Sequence, residues 1–122
     1  MTIDENLLNR FCGSDTLTRF NALMKNALLT DGALYVAKEG GAYWLMDLIA
    51  SAQLLAKVRA ESFQVWGLTV NPDKSALVTC DDGNGNIIYS QEIPYTDFEL
   101  DGIKLYACDD GEHLIIMLPS EY

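Results

Sequence analysis

Basic side chains are scarce in this sequence: eight lysines and arginines face eighteen acids and one histidine, for a formal net charge of −10 over 122 residues. Phosphate contacts are made chiefly by Lys and Arg, so direct binding of DNA or RNA is not expected. Long hydrophobic runs are lacking too. The most apolar stretch, Ala42 to Ala56, carries Asp47 inside it and is too short to cross a bilayer. The opening Met1-Thr2-Ile3-Asp4-Glu5-Asn6 lacks the basic start and apolar run of a signal peptide. Three separated cysteines, Cys12, Cys80 and Cys108, are too few, and odd in number, for a disulfide scaffold. The expectation from these absences is a cytoplasmic protein with reduced thiols and no membrane association.

Scarcity also narrows the chemistry. His113 is the single histidine, so a nucleophile–histidine–acid triad would have to use it. Neither a Gly-x-Ser-x-Gly elbow nor a phosphate-cradling glycine loop occurs. No two cysteines show the close pairing of structural zinc. In Asp81-Asp82-Gly83-Asn84-Gly85-Asn86, oxygen-bearing residues alternate at 82, 84 and 86, as a calcium loop requires. Ile87 and Ile93 then stand where its glycine and closing glutamate belong. Asn84-Gly85 reads more simply as a hairpin turn, and no metal or other cofactor is expected.

What is present is an apolar content of 49%, enough for one core, in a chain of single-domain length with no linker or repeat. Residues 1–60 read as a mainly helical half. Asp4 to Phe11 suggests a short helix and Thr16 to Ala22 an extended segment. Asp31 and Gly32 can start a helix that runs through Glu39 and closes at Gly40-Gly41. From Gly41 to Val58, apolar residues recur at three- and four-residue steps, which predicts one long buried helix. Tyr43, Asp47 and Ser51 form a polar row along it.

Residues 61–122 read as a mainly β half. Five β-like runs, 63–70, 75–80, 86–93, 103–108 and 114–118, are separated by turn residues. The simplest arrangement is an α+β fold: an antiparallel meander of about five strands packed on the long helix, with one or two short N-terminal helices. In a meander, successive turns alternate between the sheet's ends. Asp81 and Asp82 would then share one end with Asp109, Asp110 and Glu112. Asp73 and the loop carrying Asp97, Phe98, Glu99 and Asp101 would share the other.

The charge is placed unevenly. Residues 1–60 carry six acids and six bases and are neutral; residues 61–122 carry twelve acids against Lys74 and Lys104, which is the whole −10. Such a field attracts basic surfaces. Asp81, Asp82, Asp97, Phe98, Glu99, Asp101, Asp109, Asp110 and Glu112 are therefore the candidate contacts for a basic protein or nucleoprotein partner, with no catalytic residue assigned. Two alternatives stand beside this binding module: a small metal-dependent or carboxylate enzyme using Asp81, Asp82 and His113, and a homo-oligomer, such as a homodimer, seamed by surplus apolar surface on the long helix.

Four segments carry a resemblance: 41–49 (GAYWLMDLI), 81–86 (DDGNGN), 93–98 (IPYTDF) and 118–122 (LPSEY). With these the chain resembles an uncharacterised family of small bacterial and phage- or plasmid-associated proteins. The resemblance implies no catalytic residue. The mobile-element association implies a role in host–phage conflict, for instance an anti-CRISPR-like inhibitor whose carboxylates stand in for nucleic-acid phosphates.

Overall fold

A computed structural model of the chain describes residues 3, 16–21 and 26–122. The expected helix over 4–11 and Cys12 lie outside the described residues. The extended segment expected from Thr16 holds the short strand β1 (Thr18–Arg19), and β2 (Ala27–Leu29), which the sequence reading does not anticipate, follows it. Three helices come next, α1 (Asp31–Glu39), α2 (Tyr43–Ala52) and α3 (Ala56–Arg59). Strands β3 (Phe63–Val70), β4 (Ala76–Asp81), β5 (Ile87–Ile93), β6 (Gly102–Asp109) and β7 (Leu114–Met117) complete the sheet. A 3₁₀ turn covers Pro119–Glu121.

The expected five-stranded meander is replaced by a seven-stranded mixed sheet in the order β1-β2-β7-β6-β3-β4-β5, with β2 and β7 parallel and every other pair antiparallel. The five β-runs form where expected, but β6 pairs with β3 instead of β5. Strands β6-β3-β4-β5 are therefore a Greek key, in which the fourth strand returns to lie beside the first. The cause is the long 94–101 connection. It crosses the sheet end and is stitched there by Thr96 N to Lys74 O (2.8 Å) and Val70 N to Asp101 O (2.7 Å).

The expected long helix is broken as well. Gln53 ends α2, and Leu55 has extended dihedrals before α3 begins. A buried amide pair holds the break: Gln53 Nε2 donates to Gln64 Oε1 at 2.8 Å, and Gln64 Nε2 returns to Gln53 Oε1 at 2.9 Å. Gln64 also donates to Val58 O and Glu61 O, and accepts from Trp66 Nε1, each at 3.0 Å. Arg59 Nη1 reaches back to Gln53 O and Leu54 O. Carbonyls that a continuous helix would satisfy internally are taken here by side chains, so apolar periodicity alone overruns the break.

Helix α1 does start and stop as its residues suggest. Thr30 caps it through Ala33 N, and Gly40 closes it. The 3₁₀ turn then delivers Glu121 to this helix start, where its carboxylate accepts from Thr30 Oγ1 (2.6 Å), Gly32 N (3.0 Å) and Leu118 N (2.9 Å). An anion at a helix N-terminus is stabilised by the free amides and the dipole. A Cβ on Gly32 would come within 2.5 Å of Glu121 Oε1, which is why a glycine stands there.

The helices cover one face of the sheet. Gln64, Trp66 and Leu68 of β3, Val78 and Cys80 of β4, Leu105 and Ala107 of β6, and Ile116 of β7 are buried beneath them, together with Leu45, Met46 and Ile49 of α2. The alternating residues of the same strands point to the opposite face.

Candidate protein-binding face

That opposite face is built by register. Phe63 pairs with Cys108 and Cys108 with Ile115, which in turn pairs with Leu28 across the parallel ladder. One row further along, Val65 pairs with Tyr106 and Tyr106 with Met117. All seven are half-buried. Tyr122 folds back onto this face from the 3₁₀ turn. Its ring lies 5.2 Å from Phe63 and 5.5 Å from Tyr106, and Phe63 and Tyr106 meet edge-on at 5.0 Å. Such edge-to-face contacts hold rings in a fixed arrangement. Tyr122 nonetheless remains 77% exposed, which makes it the protruding member of an aromatic triad.

One border of this face is acidic. The β4–β5 and β6–β7 turns lie at the same end of the sheet, because β6 and β4 both run antiparallel to β3. The two turns share one construction. Asp81 Oδ1 accepts from Gly83 N at 2.6 Å, and Asp109 Oδ1 from Gly111 N at 2.8 Å. Asp82 Oδ1 accepts from Asn84 N and Asp110 Oδ1 from Glu112 N, both at 2.9 Å. Gly83 and Gly111 have φ of 89° and 96°, values that an L side chain rarely adopts. Each Asp-Asp-Gly is thus a doubled Asx turn.

These bonds favour the ionised carboxylates. Asp82 is held below the usual carboxylate range, first by the Asn86 side-chain amide and then by the Asn84 backbone amide. Asp110 is lowered by the His113 and Glu112 amides, and Asp73, at the opposite end, by the Ser75 hydroxyl and amide. The chain supplies amides to its own aspartates, so Asp82 faces N–H donors from Asn84 and Asn86 where a calcium loop would converge oxygens on an ion.

The turns are not one cluster. Their aspartates, at the ends of β4 and β6, are two strand spacings apart, roughly 10 Å, which exceeds the screening length of about 8 Å at physiological salt. Asp81 and Asp82 on one turn and His113 on the other are therefore not drawn into a single site. Asp97, Glu99 and Asp101 are exposed at the opposite end with Asp73, and Glu99 Oε1 accepts from Ile3 N. Phe98 is 1% exposed and Thr96 5%; Phe98 packs against Gly40 in the core and offers no surface to a partner.

The thiols are divided between the faces. Cys80 lies under the helices, and burial pushes its pKa up to about 12; Cys108 lies on the open face and is raised by partial burial. Among the described residues, no group of three or more His, Cys, Asp and Glu side chains converges as a metal site would require. Asp47 is exposed on α2 and accepts from Asn21 Nδ2 at 3.1 Å.

Sequence reasoning placed the acidic turns but missed the aromatic triad. Its signal was available in β3, where Phe63 and Val65 are apolar on one parity while Trp66 and Leu68 are apolar on the other. Apolar residues on both parities mean that both faces of the strand are to be covered.

No curated protein matches the chain. A crystal structure of a protein of unknown function from Enterococcus faecalis shares the fold, at a TM-score of 0.58 and 18% identity, over 88% of this chain and 98% of that one. No helix among the described residues is long and apolar enough to cross a membrane. The model of the family of unknown function DUF6876 matches residues 2–122, and the chain belongs to that family.

Proposed function

We propose that the protein is a non-enzymatic binding module whose aromatic sheet face docks on a partner protein, with the two Asp-Asp-Gly turns engaging basic residues at the border. The observation that carries this reading is the triad of Phe63, Tyr106 and Tyr122, 5.0–5.5 Å apart, on the sheet face opposite the helices. Interfaces combine an apolar, aromatic centre with a polar rim. Each turn aspartate is already held by its own backbone, so little side-chain freedom is lost on contact. A net charge of −10, carried by residues 61–122, favours encounter with a basic partner.

The test is capture of partners by the tagged chain from host lysate, at low salt and at about 0.5 M salt, where exposed pairs are screened. Wild type is compared with Tyr106→Ala and with the pair Asp110→Asn, Glu112→Gln. A basic protein retained by wild type, weakened by the charge variant in a salt-dependent way and lost with Tyr106→Ala supports the reading. Release of that protein by added DNA supports the narrower form, an anti-defence inhibitor standing in for nucleic acid. Capture that neither variant alters, or a stable homodimer seamed through Tyr106, removes the heterologous partner.

A further inference from the structure

On the helix side of the sheet, a cavity of ≈ 200 Å³ opens between β2, β7 and the end of α2, lined by Ala27, Ala50, Leu54 and Leu114, by the amides Asn26 and Gln53, and by Arg59 and Asp109. It lies on the other side of the sheet from the aromatic triad and shares only Asp109 with the acidic border. Asp109 has the strand parity of the buried Leu105 and Ala107, so its side chain stands on the helix side. Asp109 Oδ1 is held by Gly111 N, and Oδ2 makes no bond among the described residues. Arg59 spends Nη1 alone on Gln53 O (3.2 Å) and Leu54 O (3.4 Å), so its guanidinium is anchored while Nε and Nη2 stay available. No ion pair joins Arg59 to a carboxylate among the described residues.

We infer that this cavity binds a small zwitterion, a free aliphatic amino acid, with its carboxylate on Arg59, its ammonium on Asp109 and its side chain against Ala27, Ala50, Leu54 and Leu114. The argument is one of charge complementarity. An apolar molecule in the cavity would cover part of the half-buried Asp109 carboxylate and give no partner to it or to the exposed Arg59 guanidinium. A ligand with one charge pairs with one wall and leaves the other to water. Only a ligand with both charges meets both walls, and the guanidinium fork suits a carboxylate in bidentate geometry. Size limits it further. The volume lies between the roughly 150 Å³ that holds benzene and the roughly 300 Å³ at which common ligand pockets begin. That admits a molecule of about ten heavy atoms or fewer.

The inference is tested by titrating the isotopically labelled full chain with leucine and following the methyl signals of Ala27, Ala50, Leu54 and Leu114. Leucine is compared with 3-methylbutylamine and 4-methylpentanoate, which each keep one of its charges, and with γ-aminobutyrate, which separates the two. Saturable shifts at those methyls are expected for leucine or γ-aminobutyrate below about 1 mM, with at least a tenfold loss for the singly charged analogues. Arg59→Gln should weaken the zwitterion about tenfold and remove its advantage over the amine. Asp109→Asn keeps an oxygen for Gly111 N, and should remove the advantage over the acid. Arg59 also braces the end of α2, so if Arg59→Gln fails to fold, the wild-type comparison and Asp109→Asn decide. No saturable shift with either zwitterion up to about 10 mM, shifts confined to other residues, or equal affinity for leucine and its analogues overturns it.

Discussion

Gln64 is a polar residue with no exposed surface, and all of its hydrogen-bonding capacity is spent inside the protein, on Gln53, Val58 O, Glu61 O and Trp66 Nε1. A network like this is stable only when complete, because each buried group left without a partner costs about 1–3 kcal/mol. Gln64→Leu strands two carbonyls, an indole N–H and the Gln53 amide, and should destabilise the protein by about 3 kcal/mol in urea unfolding. Gln53→Leu leaves most of the network intact and should cost about 1–2 kcal/mol. The double variant should cost less than the sum of the two, by about 1 kcal/mol, since the amide pair is removed once and not twice. Additivity in that cycle would mean that the two glutamines act independently. Cys80 gives a second prediction at this scale. With its pKa pushed up to about 12 by burial and by nearby carboxylates, it should resist a thiol reagent at pH 8 until the protein is unfolded. Rapid labelling of Cys80 in the folded chain would show that the sheet opens locally.

Among the elements, strands were the more legible from sequence because each carries its own punctuation. The expected runs 63–70 and 86–93 are bounded by Ser62, Asn71-Pro72, Gly85 and Pro94, and their observed limits lie within a residue of expectation. The sheet order was not legible, since the choice of β3 over β5 as the partner of β6 is made by the 94–101 crossing and by Phe98 beneath it. Nor was the break after Ala52, because the residues that enforce it, Gln64 and Arg59, sit in later elements. The candidate site divides in the same way: turn chemistry is local and was visible, while the triad joins residues 63, 106 and 122 through pairing across the sheet. The clasp of Glu121 on α1 is likewise nonlocal, and Glu121→Ala removes two hydrogen bonds at that helix start, from Thr30 Oγ1 and Gly32 N, with the one from Leu118 N. A loss of about 1–2 kcal/mol is expected, by analogy with a lost N-cap. Hydrogen exchange should accelerate most in the first turn of α1; uniform acceleration would mean that Glu121 supports the whole core and not that helix.

For the molecule as a whole, the concentration of charge sets two opposing responses to acid. Twelve acids and two bases in residues 61–122 repel one another when ionised, and protonation relieves that repulsion. Asp73, Asp82 and Asp110 pull the other way. Their folded pKa values are depressed below 3.8, so the stability they contribute is fully present above the unfolded value and is lost as pH falls through the folded one. The urea midpoint of the wild type should therefore hold or rise slightly as pH is lowered toward 5, and then fall below about pH 4. Asp82→Asn and Asp110→Asn isolate the two contributions, because each substitution removes a charge and an ionisation-dependent turn bond together. At pH 7 the lost repulsion offsets part of the lost turn bonding. Below the folded pKa the parent carboxylates are neutral too, so the gap between variant and wild type should close. Asp82 and Asp110 follow strands two spacings apart, roughly 10 Å, beyond the screening length of about 8 Å, so the two substitutions should add. A gap that persists to pH 2 would mean that Asp and Asn differ in these turns for reasons other than ionisation, whereas strong non-additivity would mean that the two acidic turns sense each other as one field.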